Sequence, residues 1–134
     1  MARWVFALAA LLSVTGCDLR AEHSRPLDRP SVKAAFAEAG EPLVVRLDMT
    51  VADPDSPVDV IFVPAKEDVP EPPFELTLFD SEGAAEKHAR LIEEAAGASA
   101  EVLQVKNAIL LISPSMEAER RARLNAALDS LDSD

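Results

Sequence analysis

The chain has 134 residues and 13 Lys and Arg against 24 Asp and Glu, for a formal charge of −11. That size accommodates one compact domain, and 49% apolar with 28% charged residues is a globular composition rather than a disordered one. The acidic balance argues against nucleic acid, whose phosphates need a basic face, and a single cysteine excludes an intramolecular disulfide or a multi-cysteine metal centre.

The first residues read as an export signal, with Arg3 as a positive start and Trp4 to Leu12 as an apolar run. Nine residues are too few to span a hydrocarbon core, which needs about 20. The next segment, Val14-Thr15-Gly16-Cys17, resembles the lipobox of bacterial lipoproteins. The resemblance implies a signal peptide over 1–16, cleavage between Gly16 and Cys17, and acyl chains such as palmitate on Cys17. Each buried CH₂ contributes about 0.8 kcal/mol, so two or three chains hold a protein on a bilayer. Asp18 resembles the inner-membrane retention signal of some double-membrane bacteria. The expected location is extracytoplasmic, lipid-anchored at the cell membrane or the outer-membrane surface. Loss of 1–16 removes Arg3 and no acid, leaving a net charge of −12. Acidic headgroups repel such a surface, so the lipid at Cys17 must do the anchoring.

Residues 17–30 read as the lipidated cysteine and a flexible tether, with Arg20, Arg25, Arg29, Pro26 and Pro30 and no core periodicity. The folded domain is expected over 31–134. Ser31 is the expected N-cap of a first helix, with Val32, Ala35, Phe36 and Ala39 on one stripe and Gly40 as its stop. Leu43 to Val51 alternates with period two and predicts a strand. Asp53 to Pro57 reads as a loop, Val58 to Val63 as a strand, the prolines at 64, 70, 72 and 73 as irregular chain, and Phe74 to Phe79 as a strand.

Asp80 or Ser81 is expected to cap a second helix running to about Ala96, with Gly97 after it. Val102 to Val105 and Ala108 to Ile112 predict a hairpin about Lys106-Asn107, where Asn tolerates positive φ. The second of these strands is apolar on both faces, as suits a central strand. Ser113 with Pro114 is expected to open the last helix, with Leu124, Ala127, Leu128 and Leu131 as its buried stripe. The order predicts an α+β two-layer sandwich: a mostly antiparallel sheet of four or five strands with about three helices packed on one face.

Three groups of residues invite a chemical reading. His88 falls within the apolar arc of the second helix, where an imidazole serves as a base or metal ligand in a cleft, or as a core residue bonded to a backbone carbonyl. Asp53, Asp55 and Asp59 surround one loop and could supply oxygens to a hard cation, but Pro54 and Pro57 interrupt any EF-hand pattern. Arg120, Arg121 and Arg123 could hold an anion, although Glu117 and Glu119 predict i,i+4 pairs with Arg121 and Arg123 instead. No nucleophile elbow, phosphate loop, zincin or C-x-x-C motif is present. No catalytic residue or cofactor is therefore expected. The sequence favours a non-enzymatic envelope lipoprotein that engages a protein partner; the alternative is a small-ligand or cation-binding lipoprotein. An exposed sheet face or edge would favour the first, and a preformed apolar pocket the second.

Overall fold

The computed structural model describes residues 25–66, 71–97 and 99–133. The expected signal peptide, Gly16, Cys17 and residues 18–24 of the expected tether lie outside the described residues.

Helix α1 runs Arg29–Glu38 and begins earlier than expected, because Asp28 rather than Ser31 is its N-cap. The Asp28 carboxylate accepts from the Ser31 amide at 2.9 Å. Hydrogen bonding from the Ser31 side chain and amide holds the Asp28 carboxyl below its usual range. Pro30 falls in the first turn, where its missing N–H leaves no bond unmade. The helix ends at Gly40, whose φ of 87° lets its N–H reach the Ala37 carbonyl while the Glu41 N–H reaches that of Phe36. This paired stop directs the chain through Glu41 into β1.

Strand β1 is Leu43–Asp48, shorter than the alternating pattern predicts. Asp48 turns the chain by capping a short helix, α2 (Met49–Ala52), through bonds from the Thr50 amide and hydroxyl. The alternation through Val51 is thus partly a coincidence of a helical turn, and Val51 is 80% exposed. Strands β2 (Val58–Pro64) and β3 (Phe74–Phe79) follow, then α3 (Glu82–Ala96), β4 (Glu101–Val105), β5 (Ala108–Ile112) and α4 (Ala118–Asp132). Ser81 caps α3 as expected. The last helix does not open at Ser113: residues 113–116 form a turn closed by a bond from the Met116 N–H to the Ser113 carbonyl, and Glu117 is the cap.

The five strands form one sheet in the order β1-β2-β3-β5-β4, with every neighbouring pair antiparallel. The protein is an α+β fold, as expected. Its helices, however, occupy both faces. Val32 and Phe36 of α1 and Leu124, Leu128 and Leu131 of α4 pack with Phe62, Leu76, Leu78, Leu110 and Ile112. Ala85 and Ala89 of α3 pack with Phe79 and Ile109 in a separate cluster. Successive strand residues point to opposite faces, so Ile109 and Leu110 belong to different layers. The apolar character of both faces of β5 has this cause.

Pairing register gives the sheet two ends. Asp48, Val58, Phe79, Val105 and Ala108 lie at the near end, which also receives residues 25–28. Leu43, Pro64, Phe74, Ile112 and Glu101 lie at the far end.

Candidate functional site

The far end holds a buried carboxylate. Glu41 has its side chain 6% exposed, fixed in place by the helix stop before it and Pro42 after it. Arg120 grips it through Nε at 3.1 and 3.2 Å and Nη2 at 3.0 Å, and Arg123 donates from Nε at 3.1 Å and approaches with Nη2 at 3.0 Å. Arg120 and Arg123 share one face of α4 because they are three residues apart. The Arg120 guanidinium also lies 5.5 Å from the Phe74 ring centre, within cation–π range. Glu41, Arg120 and Arg123, with Lys66, Pro64 and Glu117, line a cleft of about 280 Å³.

The near end holds the opposite arrangement. Arg29, at the start of α1, donates to both oxygens of Asp48 at 3.0 and 3.1 Å and to both oxygens of Asp59 at 2.9 Å. One guanidinium thereby ties α1 to the ends of β1 and β2. Its hydrogen bonds to Asp59 and then Asp48 raise the Arg29 pKa above its ordinary value. The bonds from Arg29, and secondarily from Thr50, hold the Asp48 carboxyl well below the usual carboxylate range.

Beside this cluster Asn107 is 1% exposed. Its amide donates to the Phe79 carbonyl at 2.8 Å and the Leu27 carbonyl at 3.1 Å, and its oxygen accepts from the Leu27 N–H at 2.6 Å. The positive φ at the hairpin belongs to Lys106 (52°), which leaves Asn107 to reach across to the entering chain.

The residues singled out in the sequence are dispersed. Asp59 is bound to Arg29, whereas Asp53 and Asp55 are exposed on the loop, where the Asp53 carboxylate accepts from the Asp55 amide. Among the described residues no group of three or more His, Cys, Asp or Glu is placed to hold a metal ion. His88 is half-buried; its Nδ1 lies 2.9 Å from the Ala84 carbonyl one turn back, and its ring packs 4.9 Å from that of Phe79. Arg121 meets Glu101 on β4 rather than Glu117, while Arg123 keeps a loose 3.9 Å approach to Glu119 beside its bonds to Glu41. Sequence reasoning missed Glu41, Arg29 and Asn107. An acid placed directly after a glycine helix stop was the available signal for Glu41.

The edge strand β1 supplies a different kind of surface. Val45 (46% exposed) pairs with Phe62 and Leu47 (42%) with Ile61, so the register shift between them places exposed apolar groups on both sides of the strand.

No family model matches the chain, and no curated protein or solved structure does. Its chemistry is therefore read from its own residues.

Proposed function

We propose that the protein is a membrane-anchored envelope lipoprotein, held by acyl chains on Cys17, whose folded domain engages a protein partner and performs no reaction. The observation that carries the anchor is the Val14-Thr15-Gly16-Cys17 segment with the chain's single cysteine. The support for an accessory, binding role is the β1 edge. An open edge strand bearing Val45 and Leu47 offers both backbone hydrogen-bonding groups and apolar area to an added strand. The clustered charged groups are engaged in structural bonds: Glu41 with Arg120 and Arg123, Asp48 and Asp59 with Arg29.

The anchor is tested by intact mass of the membrane-extracted protein. The expected chain begins at Cys17 and carries acyl mass that Cys17→Ser abolishes; a free thiol in the wild-type protein would overturn it. The binding surface is tested with a photo-crosslinking residue at Leu47 or, as a control, at exposed Glu86 of α3. One discrete adduct from Leu47 alone is expected, and equal labelling from both positions would refute the β1 surface.

A further inference from the structure

The edge of β1 is not uniform along its length. The register shift between Val45 and Leu47 inserts Arg46 as an extra residue, and a bulge of this kind ends regular pairing. The regular part is therefore Leu43 to Val45, the half that adjoins the far-end cleft. So short a stretch offers an added strand few backbone bonds, and a partner held there needs a second contact. Gly40, Glu41 and Pro42, which lead into β1, line that cleft. The Pro42 carbonyl accepts from the Ala65 N–H at 2.8 Å, which sets Lys66 beside the same entry. Arg123 lies there too, its Cδ 3.7 Å from where a Cβ on Gly40 would stand.

We propose that the β1 edge receives the C-terminal strand of a protein partner, antiparallel to β1, with its terminal carboxylate at Arg123 and Lys66 and basic side chains upstream toward Asp53 and Asp55. The proposal rests on the reading of β1 as the binding edge. Charge changes sign along that edge. Lys66, Arg120 and Arg123 line the cleft against Glu41 and Glu117, which leaves an excess of positive charge in a chain of net −11. Glu41 takes up Nε and Nη2 of Arg123, and Nη1 keeps the loose 3.9 Å approach to Glu119, whose side chain is 94% exposed. Beyond the other end of β1 the exposed carboxylates are Asp53 and Asp55. Strand β1 runs from the cleft toward the near end, so an antiparallel strand reaches the cleft with its C-terminus. A parallel strand would bring its N-terminus, whose positive charge the cleft repels. The donors of Arg123 and Lys66 make charge-assisted bonds to a terminal carboxylate, which are about twice as strong as those to the neutral carbonyl of a continuing chain.

The probe is a fluorescent peptide of two lysines followed by alternating threonine and valine, made with a free C-terminal carboxylate and as the C-terminal amide. Each is titrated against the full chain in detergent by fluorescence anisotropy. The free acid is expected to bind about tenfold more tightly than the amide. Lys66→Met is expected to weaken the free acid about fivefold and to leave the amide unchanged, and raised salt should narrow the difference between the peptides. Lys66 has its side chain in solvent, so this variant keeps the fold. Equal affinity for acid and amide overturns the capture of a C-terminus while leaving the edge intact. Acid binding that is unaltered in Lys66→Met places the carboxylate elsewhere and overturns the cleft as its site. Failure of both peptides to bind overturns the reading of β1 as a binding edge, a result distinct from the other two. Sedimentation as a dimer that the free acid does not dissociate gives the edge to a second copy of this chain and likewise overturns the proposal.

Discussion

At the far end one carboxylate holds two guanidiniums; at the near end one guanidinium holds two carboxylates. Both clusters satisfy their members with short, multidentate bonds, and both tie a helix to chain ends of the sheet. They differ in their access to water. Glu41 is 6% exposed at its side chain, whereas Arg29, Asp48 and Asp59 are 31%, 36% and 29% exposed. A charge that loses its partner in the first setting is stranded, and in the second it is taken up by solvent. Bond count is therefore a poor guide to what each cluster contributes.

The sharpest way to break that comparison is to remove the central member of each cluster. Glu41→Gln leaves Arg120 and Arg123, 20% and 41% exposed, without the carboxylate that both bind, and is expected to destabilise by about 3 kcal/mol in urea unfolding through the loss of charge-assisted bonds from two side chains. Arg120→Ala should follow at about 2 kcal/mol, since it loses the stacking on Phe74 as well as the bonds to Glu41. Arg29→Met is expected to cost about 1 kcal/mol, because Asp48 and Asp59 rehydrate. An Arg29→Met loss equal to that of Glu41→Gln would remove the distinction drawn from exposure.

Acid sharpens it further. The folded pKa of Asp48 lies below its ordinary 3.8, so the unfolded chain binds more protons as pH falls through that value. The near-end contribution is fully present above about pH 4 and is lost as pH drops toward the folded pKa. Urea midpoints measured from pH 5 to pH 2 should therefore fall, and Arg29→Met should flatten the slope. A slope that survives in Arg29→Met would place the acid-sensitive group elsewhere. The smallest effect is expected from His88→Leu, within about 0.5 kcal/mol, because among the described residues the ring bonds within its own helix and packs on Phe79. Calorimetry of that variant measures it, and a loss of several degrees would mark His88 as more than a partly buried packing residue.

Much of the fold was legible because the deciding signals are local. Gly40 stops α1, Ser81 caps α3, and the Leu124–Leu131 stripe lies buried where a helical period puts it. The errors came from local signals with two readings. Asp28 and Ser31 are both good caps, and Pro30 is compatible with either; the bonds from Arg29 to β1 and β2 favour the earlier start. Alternation from Leu43 to Val51 fits a strand until Asp48 spends its side chain on Thr50. The candidate sites were less legible, since Glu41 and Arg120 are 79 residues apart and Leu27 and Asn107 are 80 apart. Composition carries no trace of such partners. The placement of α3 opposite α1 and α4 was likewise undetermined by its own amphipathic face, although the two apolar faces of β5 anticipated cover on both sides.

The shared cluster of α1 and α4 also dictates when this protein can fold. Val32 and Phe36 enter the same core as Leu124, Leu128 and Leu131, so the first helix has no complete packing surface until the last one has been made. Long-range closure of this kind is slow relative to local helix formation, because loop entropy is lost before the contacts compensate for it. A nascent chain lacking its final fifteen-residue helix remains unable to complete its main core.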